Sequence, residues 1–269
     1  MSNIHPSAII EKGAELGNNV TIGPFCHIGA GVHLGEGAVL YSHVTIGGNT
    51  HIEENCEFFP FAAIGHKPQD VKYGGEPNRL EIGKNTICRE YVCVHPGTGK
   101  EKALTKIGAH CLLMLSSHVG HDCSIGEHVI ISNGSQIGGH CQVNKYAIIG
   151  GMCAIHQFCR VGEYAFTAGG AIIVQDVIPF GMAVGNQAHH AGLNIVGLKR
   201  NGFSSAEIRY IHAAYTEIFH GEGEWAARLS TAKEKYADMP HIQRMLDFIL
   251  EPSERGICSA RGARGVKTR

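Results

Sequence analysis

The chain has 269 residues, including 36 glycines and a single tryptophan; 17% are charged and the formal net charge is −1. That near-neutral balance names no nucleic-acid or membrane-surface partner. The chain has no basic–apolar–small leader and no apolar run of the ~18 residues needed to span a bilayer, so a cytoplasmic protein without membrane insertion is expected.

From Ile4 the large apolar residues fall on a six-residue grid: Ile10, Leu16, Ile22, Ile28, Leu34, Leu40, Ile46, Ile52, Phe58 and Ile64. Four residues after a grid position stands a small one, as at Val20, Cys26, Ala38, Cys56 and Ala62. Large and small residues two apart point the same way along an extended chain and must share one narrow interior. Glycine often follows the grid residue directly (Gly17, Gly23, Gly29, Gly35), where a turn needs a positive φ or a crowded backbone. Neither a 3.6-residue helix nor a simple alternating hairpin holds this register. One short strand plus a turn per repeat, three repeats to a coil, predicts a parallel β-helix over residues 1–186.

Two stretches leave the pattern. Residues 65–81 are polar and rich in Gly and Pro, with Ile82 back in phase, and residues 96–106 shift the register between Val94 and Ile107. Loops inserted into a repeat array gather on one face and carry function, with plain surface decoration as the competing reading. The grid then runs from Ile107 to Ile173, interrupted only by Thr167. Seven of the ten cysteines occupy the small slot (Cys26, Cys56, Cys111, Cys123, Cys141, Cys153, Cys159) and Cys88 is on the grid itself. They read as small buried hydrophobes rather than disulfides or a metal cage.

Beyond about residue 187 the period changes to a small α-helical domain. Ser204-Ser205-Ala206-Glu207 is a capping box opening a helix, a second helix is expected over 223–236, and Pro240 opens a third through Leu250. Such a domain would cover the open edge of the last coil. The tail from Arg255, with Arg261, Arg264, Lys267 and Arg269, reads as loose chain.

Three repeats per coil place Val94, Val119, Ile137 and Ile155 above one another, so His95, His121, His140 and His156 gather at one corner, with His118 beside them. Solvated turn residues, a zinc site of neutral imidazoles and a general base all fit this cluster. His121 is the best base because Asp122 follows it and can orient it. Ser117 and Cys123 fall on interior slots, which leaves no paired nucleophile and favours direct attack by a substrate hydroxyl on an acyl group. Backbone N–H groups at Gly138-Gly139 could meet the oxyanion.

The segments SHVGHDCSIG, IGGHCQVNKYAIIGGMCAIHQFCRVG, NQAHH and GLNIVGLKRNGF closely resemble the UDP-N-acetylglucosamine O-acyltransferases of lipid A biosynthesis, over nearly the whole chain. The resemblance implies a homotrimer of left-handed parallel β-helices in the Gram-negative cytoplasm, working without metal or cofactor. It implies transfer of a 3-hydroxyacyl chain from acyl carrier protein to the 3-hydroxyl of UDP-N-acetylglucosamine. His121 would be the base, Asp122 its partner and Gly139 the oxyanion donor. Gln69, Asp70 and Lys72 would meet the sugar and pantetheine across a subunit boundary, and His95, His118, His140, His156 and Gln157 would line the cleft. Asn194 and Arg200 would meet the nucleotide and phosphates. The family often has two arginines after GLK where this chain has Arg200-Asn201, and Val196 replaces a glutamate of some members. The position that measures acyl length falls at Gly169, whose small neighbourhood predicts a long chain. Lys199, Arg200 and Arg209 are candidates for docking the acidic carrier protein. Two alternatives are an acyltransferase acting on a 3-amino UDP-sugar and a zinc-dependent β-helix carbonic anhydrase. A related N-acyltransferase carries an extra uridine-binding domain before its repeats, whereas the repeats here begin at Ile4.

Overall fold

The computed structural model describes residues 2–99 and 103–260. Most grid residues end a two-residue strand, as in Thr21–Ile22, His27–Ile28 and Leu112–Leu113. The first residue of each such strand faces outward and the second inward, as the pleat requires. The strands stack coil upon coil into three sheets of eleven, nine and eight strands. The first sheet starts at Asn3–Ile4, the second at Ile9–Ile10 and the third at Glu15–Leu16. Every pairing between successive coils of these sheets is parallel. Val119 pairs with Ile137 and Ile137 with Ile155, the predicted offset, and Val94 pairs with Val119 across the register shift.

The interior is as narrow as the pattern implies. Ile28, Leu34, Ile131 and Ile137 are fully buried, and the seven slot cysteines are at most 1% exposed. All ten cysteines are free thiols, and Cys93 is the only one not buried.

At most of the glycines after grid residues crowding, not φ, makes the choice. A Cβ on Gly126 would sit 2.5 Å from the backbone N of Lys145 in the next coil, and one on Gly35 2.4 Å from the carbonyl carbon of Glu53. The left-handed backbone falls two residues later, on side chains such as Asn19 (φ 57°), Asn85 (φ 55°) and His128 (φ 57°). These left-handed residues form ladders along the axis. His110, His128, Tyr146 and Tyr164 stack with ring centroids 4.8, 4.6 and 4.9 Å apart.

Both excursions leave the end of a second-sheet strand and return to the third sheet. The first separates Ala63–Ile64 from Arg79–Ile82 and the second separates Cys93–Val94 from Leu104–Ile107. Each returning strand has four residues, and the two pair in full register from Arg79↔Leu104 to Ile82↔Ile107. The expected loops are therefore shorter at their C-terminal ends, and both rise from one corner in adjacent coils.

The last parallel strand, Gly181–Val184, is followed by an antiparallel one, His189–Leu193. Four helices then follow: α1 (Ile195–Arg200), α2 (Ser205–His220), α3 (Trp225–Lys235) and α4 (Pro240–Leu250). The capping box forms, with Ser204 and Glu207 bonded reciprocally at the start of α2. Neither α1 nor the antiparallel strand is long enough to show a period. Ile211, Ile218, Phe219, Met245 and Leu246 pack with Ile178 and Phe180 of the final coil and close the end of the barrel. Buried Arg160 crosses this junction, bonding Asp176 Oδ2 at 2.7 Å, Glu251 Oε2 at 2.7 Å and the Phe248 carbonyl at 3.2 Å. The stretch expected to be loose from Arg255 is instead packed through Ala260. Cys258 is buried, Gly256 O accepts from Asp176 N at 2.8 Å and Asp176 O from Cys258 N at 2.8 Å. Arg261, Arg264, Lys267 and Arg269 lie outside the described residues.

His190, on the antiparallel strand, is 1% exposed and its Nδ1 has no hydrogen-bond partner among the described residues. Burial, with His189 nearby, pushes its pKa down to about 3, so it folds neutral. The unfolded chain takes up this proton near the ordinary histidine pKa and the folded chain only near pH 3, so stability must fall with pH between those limits. Chemical denaturation across that window should show a contribution of about 1.4 kcal/mol per pH unit that disappears in His190→Phe.

Candidate active site

The corner where the second sheet turns into the third is built from three adjacent columns. One residue past the strand end stand His95, Gly120, Gly138 and His156. Two residues past stand His121, Gly139 and Gln157, and three past stand Asp122, His140 and Phe158. Inter-coil bonds fix this alignment: His140 N donates to His121 O at 2.9 Å and Phe158 N to Gly139 O at 3.1 Å. The histidines expected at one corner are offset from one another across these columns, and His121 has a glycine directly above it. That glycine is required, because a Cβ on Gly139 would lie 2.7 Å from Nε2 and Cε1 of the His121 ring.

Asp122 takes the left-handed turn position (φ 58°), a conformation aspartate tolerates better than most residues. His121 Nδ1 donates to Asp122 Oδ2 at 2.9 Å, since a carboxylate can only accept. The Asp122 side chain is 1% exposed and that of His121 17%. His140 stacks on Phe158 with centroids 4.5 Å apart, meets the His121 ring edge-on at 5.1 Å, and holds Nε2 3.8 Å from Asp122 Oδ2.

Thr98 carries no motif that marks it in advance. Its backbone N–H reaches both carboxylate oxygens of Asp122, at 3.2 and 3.1 Å, and its hydroxyl donates to Oδ2 at 2.7 Å. Thr98 lies on the second excursion, so the only available signal was the register shift that brings Pro96-Gly97-Thr98-Gly99 to this corner. Asn78 of the first excursion donates to Gly97 O at 2.7 Å and so braces that loop. Burial acts to raise the Asp122 pKa, yet the bonds from His121 and Thr98, with His140 close by, hold it below the ordinary value.

His95 and His118 form a second group on the face of the sheet beside this corner. Their rings meet edge-on at 5.3 Å, and His95 Nδ1 lies 3.2 Å from the His66 carbonyl. Burial lowers the pKa of both, that of His118 to about 4, so both imidazoles are neutral at neutral pH. His156 and Gln157 are exposed at the next turn, with His156 Nδ1 3.1 Å from Gln157 O. Arg255 of the C-terminal stretch also reaches Gln157 O, at 2.9 Å.

The remaining expected residues do not join this cluster within one chain. Gln69, Asp70 and Lys72 ride on the first excursion, where Asp70 Oδ1 accepts Lys72 N–H at 2.9 Å. Gly169 follows the first-sheet strand Phe166–Thr167, at a different corner. Asn194 is the N-cap of α1: Oδ1 accepts from Gly197 N at 3.0 Å and Nδ2 donates to Tyr164 O at 2.9 Å. Arg200 is exposed in the last turn of that helix.

Ligand atoms of His121, Asp122 and His140 lie within 4.8 Å of one another, as a metal centre would need. However, Thr98 already occupies both Asp122 oxygens, and the arrangement matches an oriented imidazole more closely.

The fold and this corner define a hexapeptide-repeat transferase, and the bacterial transferase hexapeptide family matches residues 13–48 and 104–139. Residues 176–258 match the second domain of UDP-N-acetylglucosamine O-acyltransferase. The acyl-[acyl-carrier-protein]–UDP-N-acetylglucosamine O-acyltransferase of Rickettsia bellii is 50% identical over 96% of this chain and 92% of its own length. That of Azorhizobium caulinodans is 45% identical over 98% and 96%. Among solved structures, LpxA from Acinetobacter baumannii superposes with a TM-score of 0.91 at 42% identity, covering 96% of this chain and 99% of that one. The Francisella novicida UDP-N-acetylglucosamine acyltransferase gives 0.92 at 34%, covering 99% and 100%. The chain belongs to the acyl-[acyl-carrier-protein]–UDP-N-acetylglucosamine O-acyltransferase family.

Thr98→Val removes the hydroxyl bond to a buried carboxylate. The Asp122 pKa should rise in an NMR titration, and about 1.5–3 kcal/mol of stability should be lost at neutral pH. A depressed carboxylate pKa stabilises above its unfolded value and loses that contribution as pH falls through the folded one, so the mutant deficit should shrink in acid.

Proposed function

We propose that the chain transfers a 3-hydroxyacyl group from acyl carrier protein to the 3-hydroxyl of UDP-N-acetylglucosamine, with His121 as general base. The observation that carries this reading is the 2.9 Å bond from His121 Nδ1 to Asp122, which leaves Nε2 as the free base facing Gly139. Nε2 takes the proton of the sugar hydroxyl as its oxygen attacks the thioester carbonyl. The tetrahedral oxyanion collapses, the C–S bond breaks, and the leaving thiolate takes the proton back from Nε2. Asp122 stabilises the imidazolium between the two transfers.

The oxyanion donor follows from the repeat. The N–H two residues past a strand end has no acceptor within its own coil, and at two corners a carboxylate takes it: Glu11 accepts from Ala30 at 3.0 Å and Glu53 from Lys84 at 2.9 Å. Gly139 holds the same position beside His121, and no acceptor takes its N–H among the described residues. A substrate oxyanion would fill the place those carboxylates fill elsewhere.

Gln69, Asp70 and Lys72 on the projecting loop, Gly169 at another corner and Arg200 on α1 would complete the cleft from neighbouring copies in a cytoplasmic homotrimer. Fully exposed Val71 on that loop supports the assembly, because an apolar tip gains by docking on a partner. His95, His118, His140, His156 and Gln157 would line the acyl and sugar path. Asn194, already engaged as a cap, would position the backbone near the nucleotide while Arg200 meets phosphate.

Acyl transfer to UDP-N-acetylglucosamine should fall about 10²- to 10⁴-fold in His121→Ala with the fold intact. Transfer that survives in the folded mutant would sink the base assignment. Failure of the native protein with this acceptor, but success with a 3-amino UDP-sugar, would move the acceptor assignment. For chain length, a fourteen-carbon donor should outrun a ten-carbon one. A side chain fits at Gly169, where an added Cβ meets nothing nearer than Gly151 O at 3.5 Å, so Gly169→Met should fold and invert the preference.

A further inference from the structure

Cys93 stands apart from the other cysteines. It is the outward residue of the strand Cys93–Val94, half-buried where the other nine are buried, and pairs directly with His118 of the next coil. His95 follows two residues on along the same face. Cys93 Sγ lies 3.4 Å from His95 Nε2, and the sulfur and one nitrogen from each histidine all lie within 4.8 Å of one another. His95 is 5% exposed, and His118 Nε2 is buried with no hydrogen-bond partner among the described residues.

We propose that Cys93, His95 and His118 form a binding site for a thiophilic divalent cation, Zn²⁺ above all, on the sheet face beside His121, and that its occupancy inhibits acyl transfer. One thiolate and two imidazoles are a borderline-soft set suited to zinc, and three protein ligands leave a fourth position open to water. A tetrahedral centre with Zn–S of about 2.3 Å and Zn–N of about 2.0 Å separates sulfur from nitrogen by about 3.5 Å, and the Cys93–His95 separation already matches it. The supporting bond is present too. The His66 carbonyl can only accept, so His95 carries its proton on Nδ1 and turns the Nε2 lone pair toward the sulfur, the arrangement that orients metal-bound histidines. Binding replaces the S–H bond by S–Zn and releases the thiol proton to solvent. His121, Asp122 and His140 present ligand atoms at similar spacing, but there both carboxylate oxygens already accept from Thr98. The inhibitory half rests on the acyltransferase reading. A bound dication would take His95 and His118 from the cleft and oppose protonation of His121.

Two measurements on the full chain test this. Co²⁺ added to the purified protein should give a thiolate-to-cobalt charge-transfer band, which Cys93→Ser abolishes. Serine preserves the bond to His95, so the variant should fold and keep its basal turnover. Zn²⁺ should then inhibit acyl transfer by the native protein at one ion per chain, reversed by a chelator. In Cys93→Ser the inhibiting concentration should rise by more than the roughly 10- to 100-fold that loss of an outer-shell partner costs. An absent cobalt band, or one retained in Cys93→Ser, overturns the site. Equal zinc inhibition of both proteins overturns the inhibitory role and moves the metal elsewhere. If the metal-free protein transfers no acyl group, the acyltransferase reading fails, and the cobalt band still decides the site.

Discussion

Backbone hydrogen bonding from each coil to the next, in strict register, is the constraint on which the rest of the molecule depends. Strands of two residues have no independent stability, yet each is bonded above and below by bonds of about 2.9 Å, such as Gly138 N to Ile155 O. Stacking brings the turns so close that a Cβ would collide with the next coil at Gly35 or Gly126. It also holds side chains such as His128 and Tyr146 in the left-handed region, at a cost of about 1–2 kcal/mol each, offset by aromatic stacking along the corner.

The proposed catalytic corner uses these same features. The crowded glycine position becomes Gly139, which makes room for the His121 ring. The left-handed position becomes Asp122, whose carboxylate meets His121 from the adjacent residue. The Gly139 turn N–H, in the position a glutamate caps at Ala30 and Lys84, takes no acceptor among the described residues. What the repeat does not supply is a buried environment for Asp122, and the second excursion provides it through Thr98. An inserted loop thus shapes this corner without carrying one of its histidines.

His95 and His118 show how position alone divides chemically identical residues. His121 has a carboxylate partner, whereas the Nε2 of His118 is shut away beside other histidines and desolvation pushes its pKa down to about 4. A group held neutral in that way is a poor base at neutral pH but a good ligand, whether for a substrate or a cation. The neighbouring outward residue, Cys93, turns that face from a plain cleft wall into a donor set.

The six-residue period determined the β-helix, the burial of the slot cysteines and the placing of His121, His140 and His156 at one corner, because strand ends eighteen apart stack. The Ser204–Glu207 capping box and Pro240 likewise marked α2 and α4, since caps act through neighbours in the chain. Tertiary structure alone decided what depends on contacts between distant segments. The histidines expected at one corner fall in three columns, because one residue of offset along a turn moves a side chain to a different place. Thr98, 24 residues from Asp122, reaches it only because both excursions return in register. Asn194 became a helix cap, and residues 255–260 joined the last coil, because neither α1 nor a three-residue bridge is long enough to leave a period. A repeat writes its own lattice into the sequence; the insertions that interrupt it find their partners only once that lattice exists in space.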